Sequence, residues 1–264
     1  MLAVITGASS GLGAAFARKL AARGYDLLLI ARREDRLQSI AYETSQQYHV
    51  RAEVLAADLT DDAALASVAN RIRESPDLGL LVNNAGFGIL GNFIDSDPHA
   101  QEQMHRLHVL TTMRLSQAAL ANLVPRAAKG TGVINVSSVA AYVVSPQGVS
   151  YNSTKTWMNR FTEALAFELR TIPSPVTVQA LCPGYTLTEF HDVVRMDRSR
   201  IPASLWMTAD FVVEESLRGF DDGKLFVIPG WRYKLLVWAL KIMPDVLIRR
   251  VSVRTAQRYR QPKK

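Results

Sequence analysis

Apolar residues gather along this chain in two alternating rhythms. Apolar runs of strand length recur at Leu2–Ile5, Leu27–Ala31, Ala52–Ala57, Leu80–Val82, Val133–Val136, Val176–Leu181 and Leu225–Ile228. Between them, apolar positions recur every three or four residues over Leu12–Arg23, Leu37–Tyr48, Ala63–Ile72, His99–Leu123 and Trp157–Leu169, as on one face of a helix. Uninterrupted apolar strands are buried on both faces, and strands alternating with helices build a parallel sheet covered by those helices. The pattern predicts an α/β fold, a doubly wound parallel sheet of about seven strands with helices on both faces. Punctuation agrees: Gly24 follows the first helix as a C-cap, Asp61 precedes the third, and Pro183-Gly184 breaks the chain after the sixth strand. The least regular stretch, Tyr185 to Thr208, follows that strand, where an open sheet opens its ligand crevice, and is expected to form a lid.

Composition sharpens this. At 264 residues, 48% hydrophobic, the chain can bury the core of one large domain, expected over residues 1–230. The single cysteine, Cys182, leaves no disulfide framework, and Met1 runs straight into a strand without a charged leader, so a cytoplasmic protein is expected. No window reaches the roughly 20 apolar residues of a spanning helix. The net charge of +7 is uneven: residues 224–264 hold eleven Lys/Arg against one acid, Asp245. Basicity belongs to a C-terminal extension, residues 231–264, rather than to the fold.

The first strand leads into Thr6-Gly7-Ala8-Ser9-Ser10-Gly11-Leu12-Gly13 and then a helix. In a dinucleotide site such glycines permit the tight turn, let backbone reach the pyrophosphate, and let helix approach strand, with the anion at the helix N-terminus. The second strand ends in Arg32-Arg33, where an NAD-selective site places a carboxylate; a guanidinium there complements a ribose 2′-phosphate, which favours NADP(H), and Ser9 or Ser10 can add a hydroxyl. Tyr151-Asn-Ser-Thr-Lys155 opens a helix at i, i+4 spacing, so phenol and ammonium share a face. A nearby cation favours the phenolate and lowers a tyrosine pKa of about 10, making the residue usable as acid or base.

The Thr-Gly-x-x-x-Gly-x-Gly spacing resembles the short-chain dehydrogenase/reductase family, and four more motifs follow in that family's order: Asn83-Asn84-Ala85-Gly86, Ser138 after Val133–Val136, Tyr151/Lys155, and Pro183-Gly184-Tyr-Thr186-Leu-Thr188. The resemblance implies a Rossmann-type fold and an NADP(H)-dependent oxidoreductase interconverting a small-molecule carbonyl and alcohol. In it Tyr151 exchanges the proton, Ser138 orients the carbonyl oxygen, and Lys155 holds the nicotinamide ribose. It places Asp58 and Leu59 by the adenine, Asn84, Ala85 and Gly86 behind the cofactor, and Pro183, Gly184, Thr186 and Thr188 on the nicotinamide side. For Asp58, a helix N-cap or a solvated loop acid is the competing reading. A homodimer or homotetramer is expected by resemblance only, and a non-catalytic NADP(H)-sensing protein on the same fold is the alternative function.

One departure stands out. Where relatives place asparagine in the helix after Asn-Asn-Ala-Gly, this chain has His108. Either it is a buried, hydrogen-bonded helix residue, or it joins the proton relay and adds a group titrating near 6.5. His49, His99, His105 and His191 show no metal-ligand spacing, and no metal is expected. In the extension, Arg250, Arg254 and Arg258 make a basic stripe beyond an apolar segment, which suits packing over the cleft, a subunit contact or peripheral membrane contact. No recognised module frames these cations for nucleic acid.

Overall fold

A computed structural model of the chain describes residues 1–89, 91–190, 198 and 201–244. The strands are β1 (Leu2–Thr6), β2 (Asp26–Ala31), β3 (Ala52–Ala56), β4 (Leu78–Asn83), β5 (Gly132–Val136), β6 (Thr177–Leu181), β7 (Thr186–Leu187), β8 (Met207–Thr208) and β9 (Phe226–Val227). Seven of them form one parallel sheet in the order β3-β2-β1-β4-β5-β6-β9, and β7 pairs with β8 apart from it. This is the Rossmann-type doubly wound sheet expected above. Strand order reverses between β1 and β4, so a crevice opens there at the carboxyl edge.

The helices are α1 (Gly11–Ala22), α2 (Glu34–Tyr48), α3 (Asp62–Arg73), α4 (Pro98–His105), α5 (Thr112–Arg126), α6 (Val149–Arg170), α7 (Ala209–Asp221) and α8 (Trp231–Ile242). Period-two alternation assigns the two layers. Ala3, Ile5, Leu27 and Leu29 face α1 and α7 with Phe16, Leu20, Val213 and Leu217, whereas Val4, Leu28 and Ile30 face α3 and α5 with Val68, Ile72, Leu115 and Leu123. Each large apolar side chain buried this way contributes about 1.5–3 kcal/mol.

The single helix expected over His99–Leu123 is two, joined by a π-helical turn at Arg106–Thr111 that contains His108. Such turns widen a helix locally and are frequent at functional sites. Helix α7 went unpredicted, although Thr208 caps it by accepting from Phe211 N–H at 3.2 Å and Val212, Val213, Leu217 and Phe220 form its buried stripe. The expected extension begins as α8, which returns to the fold through buried Tyr233 and Val237. Arg250, Arg254, Arg258, His191 and most of the expected lid from 191 to 200 lie outside the described residues.

A buried polar chain ties α6 to the sheet. Asn83 Nδ2 on β4 donates to Ser116 Oγ on α5 (3.1 Å) and to Asn135 Oδ1 on β5 (2.9 Å), while Asn135 Nδ2 donates to Thr162 Oγ1 on α6 (2.9 Å). Buried polar groups specify one arrangement when partnered in this way.

Candidate active site

The glycine loop is built by close backbone approach. Gly7 and Gly11 have φ of +64° and +55°, the left-handed region. A Cβ on Gly13 would lie 2.2 Å from the Gly7 carbonyl oxygen, so helix α1 meets the turn only because that Cβ is missing. Asn84 secures the loop from β4, with Nδ2 donating to the Thr6 carbonyl at 2.9 Å and the Gly7 carbonyl at 3.2 Å. Thr6 Oγ1 accepts in return from the Asn84 and Ala85 amides, both at 3.0 Å. Leu12 packs against the core beneath.

The two arginines at the end of β2 separate. Arg33 donates through Nε and Nη2 to Ser9 Oγ (3.2 and 3.0 Å) and through Nη2 to Ser10 Oγ (2.8 Å), while Arg32 is exposed and 3.9 Å from Asp58. Of the pair, Arg33 is the one gathered to the glycine loop. Glu189 lies there too, 3.0 Å from Arg33 Nη1 and bonded to Arg36; these guanidiniums hold its carboxyl below the usual range. Sequence reading missed Glu189, because nothing in its spacing announces that the chain after β7 folds back over the loop. Asp58 accepts from the Thr60 amide (3.0 Å) and hydroxyl (2.7 Å), and Asp61 is the cap of α3, accepting from Ala64 N–H at 2.8 Å. The N-cap alternative for Asp58 is therefore corrected: it closes the turn before the helix. Leu59 is buried, its carbonyl accepting from Thr111.

At the ends of β5 and β6 lie the remaining predicted residues. Ser138 caps a short turn, accepting from Ala140 N–H at 3.1 Å, its Oγ lies 3.5 Å from the Pro183 carbonyl, and it neighbours Tyr151 closely enough to pull that phenol's pKa down. Lys155 Nζ donates to the Val136 carbonyl (2.8 Å) and lies 5.8 Å from the Tyr151 ring centre. Ser137 Oγ donates to the Lys155 carbonyl at 3.1 Å, which pins α6 to the end of β5. Burial pushes Tyr151 up to about 12, with the Ser138 bond pulling the other way, and pushes Lys155 down to about 7. The expectation that Lys155 brings the phenol down is not met in this arrangement: removal from water dominates both groups and holds each toward its neutral form.

His108 is fully buried. Thr154 Oγ1 lies 2.8 Å from the Tyr151 carbonyl and 2.9 Å from His108 Nδ1, so it ties the ring to the first turn of α6. Nε2 is buried without a partner, 2.7 Å from where a Cβ on Gly86 would be. The ring stands edge-on to Tyr151, centroids 5.8 Å apart. Burial first, then the Lys155 and His105 charges, hold its pKa well below 6.5. The expected titration near 6.5 is corrected: His108 stays neutral because a charged imidazolium has no water here.

On the substrate side, Thr186 Oγ1 donates to the Gly184 carbonyl (3.0 Å), and Thr188 packs over Gly11, 3.1 Å from a Cβ built there. A Cβ on Gly184 would collide with the Tyr233 ring at 2.1 Å. Pro183 joins through its carbonyl, which accepts from Val139 N–H at 3.0 Å. Among the described residues, no group of three or more His, Cys, Asp or Glu is placed to hold a metal, and no helix is long and apolar enough to cross a membrane.

A dinucleotide-binding sheet edge with serine, tyrosine and lysine converging on it defines a class of nicotinamide-dependent oxidoreductases. A family model for short chain dehydrogenases matches residues 1–199, and the chain belongs to that family. It is 34% identical over 191 residues to sulfoacetaldehyde reductase 2 of Chromohalobacter salexigens, covering 72% of this chain and 74% of the relative. It is 25% identical over 265 residues to a very-long-chain 3-oxoacyl-CoA reductase of Anas platyrhynchos, covering 98% and 80%. In other relatives of that name it spans less, 56% of the Laccaria bicolor protein. A short-chain dehydrogenase from Sphingobium yanoikuyae, solved in complex with NADPH, superposes with a TM-score of 0.83 at 32% identity over 92% of this chain and 96% of that one. Similar structures include complexes with NADPH and with NAD.

Proposed function

We propose that this chain is an NADP(H)-dependent reductase of a ketone, aldehyde or oxoacyl group, with Tyr151 as proton donor. The observation that carries this is the convergence of Ser138, Tyr151 and Lys155 at the sheet edge that also holds the glycine loop and Arg33. A bound nicotinamide supplies the hydride; the chain supplies position and proton. Ser138 holds the carbonyl oxygen, Tyr151 donates to the oxygen as negative charge grows there, and Lys155 anchors the nicotinamide ribose. Burial keeps the Tyr151 phenol protonated near neutrality, the form a donor needs.

The loop suits the cofactor, because the positive-φ glycines Gly7 and Gly11 shape a tight turn and the absent Cβ of Gly13 lets α1 close on it, which sets the start of α1 where a pyrophosphate would bind. Selectivity for the 2′-phosphate rests on Arg33 with Ser9 and Ser10, and Arg32 is a second cation at the rim. Tyr185, Phe190 and Trp206 give the substrate side an apolar character, with Phe190 and Tyr151 rings 5.8 Å apart. Pairing into a homodimer or homotetramer through α5 and α6 belongs to the same reading, supported by exposed Met113 and Phe167. The test is a screen of steroids, acyl ketones, sugars and aldehydes for carbonyl-dependent oxidation of NADPH and NADH. Turnover with NADPH preferred is expected; none with either cofactor would favour a non-catalytic NADP(H)-sensing protein.

A further inference from the structure

Helix α8 carries two apolar faces. One packs on the fold through Tyr233 and Val237. The other consists of Trp231, Leu235, Trp238 and Ile242, at i, i+4, i+7 and i+11, which fall in a single stripe opposite the buried face. These four are 66, 55, 59 and 63% exposed. Contiguous apolar surface of this kind marks an interaction site. The helix itself carries cations and no acids: Lys234 and Lys241, one heptad apart, flank the stripe on one side and Arg232 on the other, with Lys234 Nζ 3.7 Å from Glu215 of α7 and Lys241 Nζ 5.5 Å from the Tyr142 ring centre. Residues 243–264 add seven Lys/Arg against Asp245 alone.

We infer that α8 is an in-plane docking surface for an anionic phospholipid membrane. Two tryptophans in the stripe suit the headgroup boundary, where a ring is half apolar and half wet, while the flanking cations reach lipid phosphates. Spanning is ruled out by length, since the twelve residues of α8 rise only about 18 Å against about 30 Å of hydrocarbon. A second copy of this chain is the poorer occupant: stripe against stripe would crowd Lys234 and Lys241 with like charges, and lysine is depleted at protein interfaces.

The docking helix adjoins the substrate side. Tyr233 Oη donates to the Leu205 carbonyl (2.7 Å) and accepts from Tyr185 N–H (3.0 Å), and Arg232 donates to the Ser204 carbonyl (3.2 Å). A cavity of about 320 Å³ lined by Trp206, Met207, Phe211, Trp231 and Arg232 lies between them. A membrane-bound α8 therefore sets this cavity at the lipid boundary. The docking itself does not depend on the carbonyl chemistry.

The full-length protein is sedimented with vesicles of phosphatidylcholine alone and of phosphatidylcholine mixed equally with phosphatidylglycerol. Wild type is expected to partition at least about tenfold better onto the anionic vesicles. The full-length W231S/L235S/W238S variant is expected to lose about tenfold or more of that binding with its thermal unfolding unchanged. As a second variant, W231F/W238F keeps the stripe apolar and is expected to bind as wild type but lose the quenching of tryptophan emission by brominated phospholipid, which isolates the signal from Trp157 and Trp206. Any of four results overturns the inference: no binding by wild type; binding by the serine variant equal to wild type, which assigns it to the basic residues that follow; quenching retained in W231F/W238F; or a lipid-free dimer that the serine variant converts to monomer, which assigns the stripe to a second copy.

Discussion

On the cofactor side of the cleft, backbone meets backbone: Gly13 lies against the Gly7 carbonyl, and Asn84 bonds the Thr6 and Gly7 carbonyls. On the substrate side, one side chain bears much of the work, with Tyr233 filling the space above Gly184 and bridging Tyr185 to Leu205. Backbone contact leaves almost no freedom for substitution, whereas a side-chain bridge can be exchanged without moving the sheet. A fold built this way keeps one cofactor geometry and lets its substrate pocket vary.

The sharpest way to break the contrast is Gly13→Ala. Its Cβ would be driven onto the Gly7 carbonyl, so NADPH binding by fluorescence titration is expected to vanish, with stability lowered by about 1–3 kcal/mol or more. Tyr233→Phe should be milder and confined to the other side. Leaving the Tyr185 amide and Leu205 carbonyl without their partner costs about 1–2 kcal/mol, expressed as a raised KM for the carbonyl substrate with NADPH affinity unchanged. If NADPH affinity falls equally, the two sides are not separable.

Most of the fold and part of the site were legible in the sequence, for a physical reason. Central strands of a parallel sheet are predominantly apolar, and the glycines of the loop are imposed by backbone geometry, so both leave marks in composition. Tyr151 and Lys155 were legible because a helix turns an i, i+4 spacing into adjacency. What escaped depends on contacts distant in sequence. Which of Arg32 and Arg33 meets the loop is decided by side-chain direction at the end of β2, and Glu189 arrives from more than 150 residues away. The neutral state of His108 depends on burial, which spacing does not reveal.

Two smaller effects sharpen the electrostatics. Glu189 bonds Arg33, the guanidinium assigned to the 2′-phosphate, and competes with that phosphate for it. Such an exposed pair is worth about 0.2–1 kcal/mol, so Glu189→Gln should tighten NADPH binding by a few-fold and leave NADH binding unchanged. For His108 the sign is set by its lowered pKa. As pH falls through 6.5 the unfolded chain takes up a proton that the folded chain refuses, so stability present above 6.5 is lost below it, at up to about 1.4 kcal/mol per pH unit. Urea unfolding at pH 7, 6 and 5 should show wild type losing stability relative to His108→Asn, while the two rate profiles between pH 6 and 7 stay parallel. An inflection near 6.5 in wild type alone would restore the titrating role.

The central claim is that Tyr151 delivers the proton in an NADPH-dependent carbonyl reduction, and Tyr151→Phe tests it most directly, because the phenyl ring keeps the packing against His108 and Phe190 and removes only the hydroxyl. With a carbonyl substrate that the wild type reduces, NADPH oxidation at saturating cofactor is expected to fall by about 10²–10⁴-fold, with NADPH affinity and thermal unfolding unchanged. Retention of near wild-type turnover in that variant would contradict the account.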